Sequence, residues 1–80
     1  MKINVLAFGI AREILGGPQR QITLPEGATV ADLRRLLETE APGLKRLRSW
    51  AVAVNSEYAE NALALQPGDE IAVIPPVSGG

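Results

Sequence analysis

Only one segment of this chain carries a helical period long enough to bury a face. From Thr29 to Ala41, Val30, Leu33, Leu36, Leu37 and Ala41 recur at three- and four-residue spacing, and Asp32, Arg34, Arg35, Glu38 and Glu40 occupy the opposite side. Thr29-Val30-Ala31-Asp32 reads as a capping box, with an oxygen at the N-cap and an acid at N3, although Asp is a weaker match there than Glu. Arg34 and Glu38 form an i,i+4 pair in the less favourable order. Pro42-Gly43 stops the helix. The spacing therefore predicts a helix over Val30–Ala41, with Val30, Leu33 and Leu37 on its buried side. A single amphipathic helix has no second long helix to pack on, so its apolar stripe must meet a sheet.

The remaining pieces have strand length. Ile3, Val5 and Ala7 alternate with Lys2, Asn4 and Leu6, a strand ending near Phe8 that Gly9 breaks. Ile10–Leu15 has room for one or two helical turns before Gly16-Gly17-Pro18. Gln19–Leu24 sets Ile22 and Leu24 on one face and Gln21 and Thr23 on the other, a half-exposed strand closed by Pro25-Glu26-Gly27. Leu44–Ser49 reads as a helical turn or a loop. Trp50–Asn55 and Glu70–Ile74 are nearly continuous apolar runs, the pattern of inner strands covered on both faces. Between them Asn55-Ser56 turns, Glu57-Tyr58-Ala59 has the length of a short edge strand, and Gln66-Pro67-Gly68-Asp69 is a second turn. The expected fold class is α+β: a two-layer domain with one main helix across a mixed sheet of four or five strands.

Composition narrows the function. Eighty residues make one domain, with a stability of about 4–12 kcal/mol by the usual per-residue margin. The 46% hydrophobic and 21% charged fractions are those of a globular chain. Eight Lys+Arg against nine Asp+Glu give a net charge of −1, and one Phe, one Trp and one Tyr offer little to stack on bases, so nucleic acid is not an expected partner. The absence of Cys rules out disulfides, thiolate metal sites and thiol nucleophiles; the absence of His removes the usual general base and most transition-metal sites. Met1-Lys2-Ile3-Asn4-Val5 is not a signal peptide, and no run approaches the ~18 apolar residues of a membrane span. The expected setting is the cytoplasm, with no membrane contact and no bound metal. Any chemistry this chain joins is not supplied by its internal side chains.

Several side chains invite a functional reading and are better explained as structure. Lys45, Arg46 and Arg48 could greet a partner, but short charge runs are usually solvated loops. Asp69 and Glu70 could be an acid pair; Asp69 more naturally serves its turn and Glu70 an exposed strand start. Arg12 and Glu13 belong to the surface of a short helix, and Trp50 to the core or its rim. The C-terminal segment is more specific. Pro75-Pro76 cannot continue a sheet and favours an extended chain, and Gly79 and Gly80 have no Cβ to keep them out of a narrow channel.

Phe8-Gly9-Ile10-Ala11-Arg12-Glu13-Ile14-Leu15-Gly16, Ala53-Val54-Asn55, Leu65-Gln66-Pro67-Gly68-Asp69-Glu70-Ile71-Ala72 and above all Pro75-Pro76-Val77-Ser78-Gly79-Gly80 carry a resemblance over essentially the whole chain. The sequence resembles the small, sulfur-carrying subunits of molybdopterin synthase (the MoaD family), which are ubiquitin-like β-grasp proteins. The resemblance implies a β-grasp domain over residues 1–76 and a flexible Gly-Gly tail over 77–80. It implies that Gly80 is the group carrier, first as an acyl-adenylate and then as a thiocarboxylate that gives its sulfur to a cyclic pyranopterin. Gly79, Ser78, Val77, Pro76, Pro75, Ile74 and Phe8 would then meet partners. Those partners would be the large synthase subunit, a ubiquitin-activating-like adenylyltransferase that uses ATP, and a sulfur-donor enzyme. No cofactor is implied on this chain itself. Gly-Gly endings are common to ubiquitin-like carriers, so a protein modifier, or a sulfur carrier for thiamine or for a thiolated tRNA base, shares the same tail chemistry as far as the adenylate. A plain structural domain with an incidental Gly-Gly end is the blandest alternative.

Overall fold

The computed structural model describes residues 1–47 and 49–76. Strand β1 (Lys2–Ala7) buries Ile3, Val5 and Ala7 and turns Lys2 and Asn4 to solvent, as its alternation requires. Gly9 breaks the strand at φ +54 and opens the short helix α1 (Ile10–Leu15), which ends at Gly16 in the left-handed region. Strand β2 (Gln19–Thr23) returns antiparallel to β1, with Ile3 opposite Ile22.

Helix α2 (Val30–Glu40) is the long one, and its capping box is complete. The Thr29 N–H donates to Asp32 Oδ2 at 2.9 Å, and the Asp32 N–H donates to Thr29 Oγ1 at 3.4 Å. The two preceding amides, Val30 and Ala31, donate to the carbonyls of Leu63 and Asn61 at 2.9 and 3.0 Å. The 61–65 segment thus satisfies donors that every helix N-terminus leaves open. Val30, Leu33 and Leu37 are buried against the sheet. Three details differ from the sequence expectation. The helix ends at Glu40, and Ala41 at φ −131, ψ 78 takes the extended backbone a following proline demands. Pro42 does not only stop a helix: it is the first residue of a 3₁₀ turn, Pro42–Arg46, whose Leu44 is fully buried. Arg34 does not pair with Glu38. The ion pairs among the described residues are Arg20–Glu40 and Arg35–Asp32, while the Arg34 guanidinium lies 4.0 Å over the Trp50 ring and donates to the Trp50 carbonyl at 2.9 Å.

Strands β3 (Ala51–Val54), β4 (Glu57–Tyr58) and β5 (Glu70–Ile74) complete a five-stranded sheet in the order β2-β1-β5-β3-β4. The last strand to be made is therefore the central one. It runs parallel to β1, with Ala7 beside Val73, and antiparallel to β3, with Ala51 beside Ile74. A two-residue hairpin links β3 to β4, with Asn55 and Ser56 both at positive φ, as tight hairpins of the primed type need. The second faces of β3 and β5 are covered only in part, less than expected: Ala53 is buried there, at 5% exposure. Val52 and Val54 of β3 and Ile71 and Val73 of β5 face the helix layer, whereas Ala51, Ala72 and Ile74 are only half-buried. Their apolar character belongs to an open face of the sheet.

Candidate functional site: the open sheet face and the exit of the central strand

Beyond Ile74 the chain leaves the sheet through Pro75 and Pro76, both half-buried. Position 75 falls two residues past the Ala7–Val73 pair and one past the Ala51–Ile74 pair, so the exit lies between the end of β1 and the start of β3. A Cβ built on Gly9 would stand 3.3 Å from Pro75 Cγ on one side. On the other, Trp50 lines a cleft of about 320 Å³ together with Pro75, Pro76, Ile74 and Tyr58. Trp50 is buried, in agreement with its expected place in the core rim.

The open face adjoins this exit. Phe8 and Ile74, two of the domain residues expected to meet partners, are brought together on it. They line a groove of about 340 Å³ whose other walls include Leu6, Ala53, Tyr58 and Ala72. Phe8 is 51% exposed and Tyr58 75%, large fractions for aromatic side chains. Leu6, Ala72 and Tyr58 were not anticipated as part of this surface. Their signal lies in the alternation of β1, where the outward series Lys2, Asn4, Leu6 turns apolar toward the end at which β5 exits.

Of the charged candidates, Glu70 lines this groove at its rim, Asp69 serves the backbone, and the others among the described residues are solvent-exposed. Asp69 accepts from the Gln66 N–H at 2.7 Å and from Asn55 Nδ2 at 3.0 Å, and Asn55 Oδ1 accepts from the Glu70 N–H at 3.0 Å. This pair of side chains ties the β3–β4 hairpin to the turn that starts β5, a link the sequence reading missed on the Asn55 side. Arg12, Glu13, Lys45 and Arg46 are exposed. Among the described residues only Asp32 has a clearly displaced acidity: hydrogen bonds from the Thr29 backbone and the Arg35 side chain hold its carboxyl below the ordinary value of 3.8. No group of three or more acidic or other metal-ligating side chains converges among the described residues. Arg48, Val77, Ser78, Gly79 and Gly80 lie outside the described residues, as does the expected tail over 77–80. Among the described residues no helix is long and apolar enough to cross a membrane.

One helix held across a mixed five-stranded sheet, with the central strand as the last and an apolar open face beside its exit, is the β-grasp architecture of ubiquitin-like proteins. The ThiS family model matches residues 5–80, and the chain belongs to that family. It is 43% identical to the human molybdopterin synthase sulfur carrier subunit, a match covering 99% of this chain and 94% of the human one. The crystal structure of small archaeal modifier protein 1 from Haloferax volcanii superposes with a TM-score of 0.86 at 29% identity and covers 100% of both chains. In a protein–protein complex of subunits 1 and 2 of the molybdopterin-converting factor from Helicobacter pylori, one chain superposes with a TM-score of 0.69 at 30% identity, again over 100% of each.

Proposed function

We propose that this chain is the sulfur carrier subunit of a molybdopterin synthase and that its reactive group is the carboxyl of Gly80. The observation that carries the reading is the full-length likeness to a sulfur carrier subunit, with the family match running through Gly80 itself. It fits a chain with no Cys and no His, because the sulfur would reside on the main chain.

A C-terminal carboxyl has an ordinary pKa near ~3.5, so at neutral pH it is an anion and a poor acyl electrophile. An adenylating partner would turn it into an acyl-adenylate: a carboxylate oxygen bonds to the α-phosphorus of ATP and pyrophosphate leaves. A sulfur nucleophile then attacks the carbonyl carbon, AMP departs with the bonding pair, and –C(=O)S⁻ remains. In the synthase, the thiocarboxylate sulfur would displace an oxygen substituent from a side-chain carbon of the cyclic pyranopterin monophosphate, the oxygen leaving with the bonding pair. Water would then cleave the acyl–sulfur bond, leaving the sulfur on the pterin and releasing Gly80 as carboxylate. Repeated cycles supply both sulfurs of the dithiolene. The open face around Phe8, Leu6, Ile74 and Tyr58 offers the apolar centre a partner interface needs, and the complex seen for the Helicobacter pylori subunits supports a large-subunit partner. An extended tail with two side-chain-free residues costs little rotamer entropy on insertion. The adenylating enzyme and the sulfur donor belong to the same proposal.

The likeness to an archaeal modifier protein favours one second reading, in which the same activated Gly80 acylates lysines of other proteins. Intact mass spectrometry of the chain purified from its native host separates the two. A fraction heavier by the exchange of one oxygen for sulfur is the expected result. Branched conjugates with only unmodified free chain would favour the modifier.

A further inference from the structure

We propose that Gly9 is a positioning residue for sulfur transfer: by leaving empty the space beside Pro75, it sets the direction in which the C-terminal segment leaves the domain. The inference rests on the reading of Gly80 as the sulfur-bearing residue.

The chain at Gly9 combines φ +54 with ψ −134, a conformation that side chains other than glycine's seldom allow. The turn is fixed from both sides, since the Ala11 and Arg12 amides donate to the Phe8 and Gly9 carbonyls at 3.0 and 3.1 Å. It is here that β1 bends away while its parallel neighbour β5 runs on as Pro75. A Cβ at Gly9 would meet Pro75 Cγ at 3.3 Å, tighter than ordinary packing, so the ring must give by a few tenths of an ångström. Because the ring closes on its own backbone nitrogen, that shift bears on the chain itself. The opposite wall does not yield. Trp50 is buried, with Arg34 lying 4.0 Å over its ring and hydrogen-bonded to its carbonyl. The exit is therefore a notch between Gly9 and Trp50, fitted to a proline and followed by a second one that prolongs the direction. The contrast with Gly27 and Gly68 is informative: both have positive φ, but an added Cβ would meet nothing within 4 Å. Among the described glycines, only at Gly9 is the missing side chain the space for the exit.

The test compares the wild-type chain with Gly9→Ala, Pro75→Ala and the double variant, and it has two readouts. In the first, Gly80→Cys and Glu40→Cys are introduced into each background for paired nitroxide labels, which the absence of native cysteine allows. Double electron–electron resonance then gives the distance from the last residue to the far end of α2. The expected result is a displaced distribution for Gly9→Ala and, once Pro75 is also replaced, a distribution matching that of Pro75→Ala alone. In the second, unlabelled chains carrying the thiocarboxylate are mixed with purified large subunit and cyclic pyranopterin monophosphate in a single turnover. A displacement of ~1 Å slows such a reaction on the order of a hundredfold. The double variant should react no slower than Pro75→Ala, a non-additivity that a general loss of folding would not produce. An unshifted label distribution in Gly9→Ala overturns the proposal, and so does a rate defect that simply adds to that of Pro75→Ala. If the wild-type chain itself transfers no sulfur, the functional reading fails, while the label distances still decide whether Gly9 steers the exit.

Discussion

Asn55 is the residue whose two roles are hardest to replace together. Its backbone sits at φ +52, where Asn is tolerated far better than most side chains, and its amide bridges Asp69 and the Glu70 N–H. Asn55→Ala removes both hydrogen bonds and keeps the strained backbone, so it should cost about 1–3 kcal/mol in a urea melt. Asn55→Gly relieves the strain and should lose less. Asp32 gives a pH signature. Its folded acidity is strengthened by the Thr29 amide and Arg35, so its contribution is present above its ordinary pKa of 3.8 and is lost as pH falls through the lower folded value. Acid titration of stability should show a decline in that window, and Asp32→Asn should flatten it. A variant that keeps the full decline would place the acid sensitivity elsewhere.

Among the elements, α2 holds the two layers together through Val30, Leu33 and Leu37, all fully buried. Leu37→Ala should cost about 2–5 kcal/mol, a large part of a margin of about 4–12 kcal/mol, and thermal unfolding should show it as a severe loss. This helix, its capping box and the inner strands were legible in the sequence because each rests on a local period or a local cap. The runs of β3 and β5 misled for a physical reason. A continuous apolar run cannot distinguish a strand covered by a second layer from one with an open outer face, and Ala72 and Ile74 belong to the latter. The Arg34–Trp50 stack and the Asn55–Asp69 link were illegible because they join residues far apart in the chain, where no spacing rule reaches. Charge alone suggested Glu38 for Arg34, and the buried indole face proved the better partner.

At the scale of the molecule, the fold separates stability from function. The core lies between sheet and helix, the face proposed to meet a partner is the opposite side of the sheet, and the central strand leads toward the residue proposed to carry sulfur. The candidate site was therefore readable as a tail motif, while the surface beside it needed the strand order to assemble Leu6, Phe8, Ile74 and Tyr58. Phe8→Asp should leave the unfolding midpoint nearly unchanged, because the ring is half exposed, yet weaken binding to a large synthase subunit. A loss of about 2 kcal/mol, roughly 30-fold in Kd, is the expected size for an aromatic anchor, measurable by calorimetry. Unchanged affinity would move the interface off this face. The central claim concerns Gly80, and intact mass spectrometry tests it most directly. Wild-type chain and a chain lacking Gly80 are each incubated with the adenylating enzyme, ATP and sulfide. The account predicts that the wild-type chain gains the mass of one sulfur in place of one oxygen and that the shortened chain, equally well folded, gains nothing. The same gain on the shortened chain would contradict it.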